Sequence, residues 1–386
     1  MRTVLFKLML MAAASVIALL LGELVFRAFV DVDPRFYNTA STQHIVRPDT
    51  DNAEMNPFDL PVAMRITRPG VRGYNVGSVA VINKHGMRDE REYPFKKATD
   101  VRRVMFVGDS VMFGHTEQAE LIPAMVGKHL TEMTSQKVET PAFSCPGWAL
   151  NTELLVVKQA VSKFEVDDLV VLFILNDLTG REMWVDKRGD PDHEMQLGRY
   201  DREERGAAVW VRKLVRRSSL LTALAWTFKG VYARRQPMDT SLEVLADDAK
   251  IEKTVSALES AFAWLANHCK ARGIRCTLAV APYAVQFSED IGRKVVQQWY
   301  GRPYDKAVMR NAAQTAIMSR CKAAGLRCLD LFDGFGAVDN VEELYFKTPE
   351  GRFDYVHLSA KGNDLAGRLI ASHLAKLPEA ASKTGE

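Results

Sequence analysis

From Val101 onward the chain alternates short apolar runs with stretches of helical periodicity. The runs are Val104 to Val107, Leu169 to Leu175, Thr277 to Ala281 and Cys328 to Phe332. Apolar runs of this length that do not alternate with polar residues read as strands buried on both faces, and strands separated by helices are joined by crossovers. The pattern predicts an α/β chain with a parallel sheet covered on both sides, a three-layer α/β/α sandwich. In such sheets ligands sit beyond the carboxyl ends of the strands. The residues that follow each run are therefore where chemistry is to be sought.

The first run breaks into Gly108-Asp109-Ser110, and the second leads into Asn176. Gly147 lies in the loop Ser144-Cys145-Pro146-Gly147-Trp148. Asp354-Tyr355-Val356-His357 opens the last helical stretch, Ser359 to Ala375. A serine hydroxyl is a weak nucleophile until an imidazole takes its proton, and that imidazole needs a carboxylate to fix its tautomer and stabilise its charged form. Ser110, His357 and Asp354 can fill these roles. The three-residue spacing predicts Asp354 and His357 on one face of a single helical turn.

Each piece also has a plainer reading. Gly-Asp-Ser suits any tight turn, Asn176 could cap a helix, and Gly147 could simply follow proline in a turn. Their joint order after strands favours catalysis. A second Asp-x-x-His, at Asp190 and His193, follows no strand and reads as surface. His115 and His129, assigned to the first helix, read as structural or exposed. No Gly-x-Ser-x-Gly surrounds Ser110, which argues against the nucleophile elbow of α/β-hydrolases.

The chain has 386 residues, 51 of them basic and 48 acidic, for a formal charge of +3, too small to argue for nucleic acid as a partner. At the N-terminus Arg2 and Lys7 precede the apolar run Leu8 to Leu21, which continues past Gly22 and Glu23 into Leu24, Val25 and Phe26. This reads as a signal peptide or signal anchor over 1–30. The uncharged part is shorter than the ~20 residues that span a bilayer, but Lys7 and Glu23 can snorkel at the ends of a longer helix. With no small-x-small cleavage site at its end, an uncleaved transmembrane helix is preferred over a secreted form. The positive-inside rule then places the rest of the chain in the periplasm or outside the cell.

Residues 31–100 read as a juxtamembrane segment or brace, and 101–375 as the main domain with a helical insertion at about 178–250. Residues 376–386 read as a disordered tail. Within the insertion, Val209 to Arg235 is basic and amphipathic, as suits either a packed cap helix or a helix lying on an anionic membrane. Cys269-x6-Cys276 and Cys321-x6-Cys328 sit at two similar helix-to-strand junctions. Each pair suits a short disulfide in an oxidising compartment or two small buried side chains. Neither has the tight knuckle of a zinc site.

Gly108-Asp109-Ser110, Gly147, Leu175-Asn176-Asp177 and Asp354-x-x-His357 together resemble, in order, the four blocks of the SGNH, or GDSL-type, hydrolases. Asn83-Lys84-His85-Gly86-Met87-Arg88 is similar to the lead-in of membrane-anchored bacterial members. The resemblance covers about residues 80 to 375. Leu175 and Ile174 depart from it, standing where a glycine commonly precedes the asparagine, and so does Val111 in place of leucine. It implies a flavodoxin-like SGNH fold and a serine esterase acting through an acyl-enzyme on Ser110, with His357 as base and Asp354 as its partner. The backbone N–H groups of Ser110 and Gly147 and the Asn176 amide would form the oxyanion hole. No metal or cofactor is implied. The substrate class is a small-molecule or glycan O-acyl ester, short-chain or acetyl and on an envelope or secreted glycan by family habit; an O-acyltransferase with the same triad and a non-catalytic glycan-binding envelope protein are the alternatives.

Overall fold

The computed structural model describes residues 2–29, 45–46, 58, 60, 66–76, 78–178, 240–245, 247–300, 311–348, 351 and 353–377. Val209 to Arg235, Asp190 and His193, and most of the C-terminal tail lie outside the described residues.

Two short antiparallel pairs come first, β1 (Ile45–Val46) with β2 (Ile66–Thr67) and β3 (Arg72–Asn75) with β4 (Ser78–Val81). The main sheet is built from β5 (Val101–Gly108), β6 (Lys137–Glu139), β7 (Ala142–Ser144), β8 (Asp168–Ile174), β9 (Arg275–Ala281) and β10 (Arg327–Asp330). All of its pairings are parallel, in the order β10-β9-β8-β5, and one edge of β5 is shared by β6 and β7. β6 and β7 act as one strand broken at Thr140-Pro141, where proline cannot donate to the ladder. Counted that way, the spatial order is second-first-third-fourth-fifth, the doubly wound arrangement whose switch point lies between β5 and β8.

Helices cover both faces. Ile122–Thr134 and Ala360–Ala375 pack on each other, while Glu259–Arg272 packs against both Leu150–Gln159 and Ala312–Ala323. Every residue of β8 and β9 is buried, as the uninterrupted apolar runs require. In β5, β8 and β9 the charged residues stand at the amino ends. There Arg275 grips Asp168 through Nε at 2.8 Å and a second nitrogen at 2.7 Å, and Arg102 joins it at 2.8 Å. The carboxyl ends of these three strands carry no charged residue.

A two-stranded antiparallel ribbon, β11 (Tyr345–Lys347) with β12 (Phe353–Leu358), closes the fold beside the sheet. It is anchored by the Tyr345 hydroxyl, which donates to the carbonyl of Pro282 just past β9 at 2.8 Å. The last helix starts at Ala360, with Ser359 as its cap. Gly362 in its first turn touches the ribbon so closely that a Cβ there would lie 2.0 Å from the Leu344 carbonyl oxygen.

Cys321 and Cys328 form a disulfide, whereas Cys269, Cys276 and Cys145 are buried thiols outside any disulfide. The two similar helix-to-strand junctions thus differ in covalent state. Arg2–Phe29 forms one helix, and its described apolar side chains, among them Phe6, Met9, Leu20 and Leu24, are exposed. Some side chains of this helix are outside the described set; among the described residues no helix is long and apolar enough to cross a membrane.

Gly362→Ala is expected to lower stability by about 1–3 kcal/mol or more, because backbone rather than a flexible side chain must move. Thermal unfolding of the two proteins measures the loss.

Candidate active site

The turn Gly108-Asp109-Ser110 is made by two short-range constraints. Gly108 ends β5, and a Cβ on it would meet the Met112 Cβ at 2.7 Å, so glycine lets the helix Ser110–Phe113 fold back onto the strand end. Asp109 caps that helix: its Oδ1 accepts from the Val111 N–H at 2.8 Å. Its Oδ2 accepts from the Asn176 side-chain amide at 3.0 Å and lies 3.4 Å from the Ser110 hydroxyl. Asn176 itself sits in the turn Leu175–Leu178, which Asp177 closes by accepting from the Ile174 N–H at 2.9 Å. One buried carboxylate thereby ties the ends of β5 and β8 across the switch point.

His357 reaches this turn from the ribbon. Its Nε2 lies 2.9 Å from Ser110 Oγ and its Nδ1 lies 2.8 Å from Asp354 Oδ2. The spacing works differently from the helical turn expected, since both residues lie on β12. Between Tyr345↔Leu358 and Lys347↔Phe353 the register shifts, so five steps on β12 oppose two on β11. The surplus residues bulge out, and Asp354 Oδ1 stabilises the bulge by accepting from the N–H groups of Val356 at 2.9 Å and His357 at 3.0 Å. A bulge, not a helix, brings positions i and i+3 together.

Burial alone would lower the basicity of His357, but the charge and hydrogen bond of Asp354 outweigh it and the imidazole sits above its ordinary 6.5. Burial likewise works to raise Asp354, yet His357 holds that carboxyl well below its usual range. Both side chains keep about a fifth of their surface open, 18% and 20%, so the site is reachable. Gly147 is exposed with φ of +87°, in the loop that follows β7. β7 pairs with β5 through Gly108↔Ser144, so this loop starts beside the nucleophile turn.

Two groups here were not singled out from sequence. His115 does not lie on a helix; it follows Gly114 in the loop after Ser110–Phe113, with its ring centroid 4.1 Å from that of His357 and 5.3 Å from that of Phe346. Its place directly after the nucleophile helix was the available signal. Arg88, from the stretch preceding β5, is buried and fastens that loop by donating to the carbonyls of Phe113, Gly114 and Thr116 at 2.6 to 2.8 Å. Beneath the turn, Glu153 is fully buried on the helix Leu150–Gln159, and neither of its oxygens has a hydrogen-bond partner among the described residues. Burial first, then the charges of Asp177 and Asp109, push its carboxyl well above the usual range.

His115, Asp354 and His357 each offer a metal-ligating atom within 4.8 Å of the others. Asp354 and His357 are already held by each other, by backbone amides and by Ser110, so a cation would displace those contacts. His129, in contrast, lies on the helix Ile122–Thr134 and bonds Asp364 at 2.8 Å.

No family model matches the chain, and no curated protein matches it either. Among solved structures, a lipase/acylhydrolase from Enterococcus faecalis is 13% identical, with 71% of this chain and 95% of that one covered and a TM-score of 0.38. The acetyl xylan esterase AlAXEase is 15% identical over 70% of this chain and 99% of its own, with a TM-score of 0.36. A GDSL-like lipase from Bacteroides thetaiotaomicron is 13% identical over 71% and 88%, with a TM-score of 0.33. Identity and TM-score are both low, and nothing about the chemistry of this chain follows from them.

Glu153→Gln tests the buried carboxyl. The unfolded side chain ionises near 4.3, whereas the folded one stays protonated, so its contribution to stability falls as pH rises above that value. Glutamine removes this loss. The variant is expected to melt higher than wild type at pH 8, by the equivalent of ~1 kcal/mol or more, with a smaller gain at pH 5.

Proposed function

We propose that this chain is a serine esterase that cleaves O-acyl esters through an acyl-enzyme on Ser110. The observation that carries the reading is His357, bonded through one ring nitrogen to Ser110 and through the other to Asp354. An imidazole oriented in this way takes the serine proton as Oγ attacks the carbonyl carbon. Asp354 stabilises the imidazolium that results. Charge develops on the carbonyl oxygen, and the donors proposed for it are the backbone N–H groups of Ser110 and Gly147 and the Asn176 amide. Asp109 holds one N–H of that amide, which fixes the plane of the other. Collapse expels the alcohol, which receives its proton from His357. Water then attacks the acyl carbon as it loses a proton to His357, the bond from that carbon to Ser110 Oγ breaks to release the acid, and His357 returns the proton to Oγ.

The substrate proposed is a short-chain, most simply acetyl, ester on an envelope or secreted glycan. It rests on the resemblance together with the N-terminal helix. That helix presents exposed Met9, Leu10, Ile17 and Leu20, apolar surface that water does not leave bare, and we place it in the bacterial inner membrane with the domain on the periplasmic or outer side. Full-length protein is expected to stay in the membrane fraction after carbonate extraction, and deletion of residues 1–30 to release it.

Short-chain acyl esters test the chemistry. Ser110→Ala and His357→Ala are expected to abolish turnover, Asp354→Asn to lower it on the order of 10⁴-fold, as in other serine triads, and Asn176→Ala to lower it about 10²–10³-fold. A fluorophosphonate should label wild type and not Ser110→Ala. Because the base must be neutral to act, kcat/KM should fall on the acid side through a value above 6.5. A folded wild type that neither turns over nor labels would overturn the reading.

A further inference from the structure

His115 has no task in these steps, yet it is held as firmly as the triad. Arg88 donates to the carbonyls on both sides of it, Gly114 and Thr116, and Asn363 on the last helix donates to the Thr116 hydroxyl at 3.0 Å. Asn75 completes the frame, its buried side-chain nitrogen lying 2.6 Å from the Gly114 carbonyl oxygen and 3.2 Å from His115 Nδ1. Since a carbonyl can only accept, that Asn75 atom is the amide nitrogen, and His115 Nδ1 must be its acceptor. The Asn75 contact favours the tautomer with the ring proton on Nε2. Burial and the neighbouring His357 act in the same direction, lowering the basicity of His115 to about 3. The ring is a neutral N–H donor at any pH at which the triad works.

Its position says what it can touch. His357 must give its proton to the departing alcohol oxygen, so that oxygen comes within hydrogen-bond reach of His357 Nε2. Whatever flanks the His357 ring therefore flanks the alcohol half of the ester. A ring nitrogen of His115 lies within 4.8 Å of one on His357, and Phe346 stands edge-on to His115, half-buried on β11. We propose that His115 and Phe346 form the subsite for the alcohol half, and that the His115 Nε2–H selects alcohols bearing a further oxygen near the ester, as in a partly acylated polyol or sugar. Phe346 supplies an apolar face for the carbon side of such a ring. A neutral donor suits hydroxyl and ether oxygens without recruiting anions. This subsite rests on the esterase reading of Ser110 and His357.

The test holds the acyl group constant and changes the alcohol, using detergent-solubilised full-length protein with glycerol monoacetate and with ethyl acetate. The readout is the ratio of their kcat/KM values. His115→Phe keeps a flat ring without the donor and is expected to lower the ratio about tenfold, the scale of one lost neutral hydrogen bond. His115→Gln, whose amide nitrogen falls near the position of Nε2, should recover most of it. An unchanged ratio in His115→Phe overturns the subsite. So does an equal loss on both acetates accompanied by a shift of the acid limb, because that would make His115 a tuner of His357. Wild type without turnover or fluorophosphonate labelling fells the esterase reading first, and is distinct from turnover without discrimination, which fells the subsite alone.

Discussion

The site depends on one buried carboxylate between two strand ends. Asp109 spends one oxygen on the cap of the nucleophile helix and the other on Asn176, so the residue that sets the serine also sets the amide opposite it. Because β5 and β8 are direct neighbours, paired in register from Val104↔Asp168 to Val107↔Val171, the two groups leave the sheet side by side. The price of concentrating charge there is visible beneath, where Glu153 and Asp177 are both pushed toward their neutral forms. A low-dielectric pocket tolerates one carboxylate with donors around it; it does not tolerate three.

Much of the sheet was legible because a strand covered on both faces must be apolar throughout. The four runs from Val104 to Phe332 coincide with β5, β8, β9 and β10 to within a few residues at each end. The edge formed by β6 and β7 was not legible: an edge strand has fewer buried positions, and Lys137-Val138-Glu139 carries no apolar run. The pairing of Asp354 with His357 could be read from spacing, but its geometry could not. Spacing of three is shared by a helical turn and a strand bulge, and only the mismatch between β11 and β12 decides between them.

The same limit explains His115, Asn75 and Arg88. Their roles depend on contacts between segments far apart in the chain, such as Asn75 with Gly114 and Asn363 with Thr116, which no local periodicity encodes. Arg88 read as part of a lead-in stretch with no stated task. In the fold it is a buried cation satisfied almost entirely by carbonyl oxygens, a tether for the loop beside the triad. The two cysteine junctions are a further case: nearly identical sequences, one closed by a bond and one not.

His357 is carried by a different piece of structure from Ser110. Ser110 opens the short helix that follows β5, an interior strand of the parallel sheet, whereas His357 stands on a bulged two-stranded ribbon that the Tyr345 hydroxyl anchors at the end of β9. Tyr345, Phe353, Tyr355 and Leu358 of the ribbon are buried in the main core, so the ribbon opens only as that core loosens. Heat or denaturant would then part His357 from Ser110 only by breaking the core they share, so that the site and the fold are lost together.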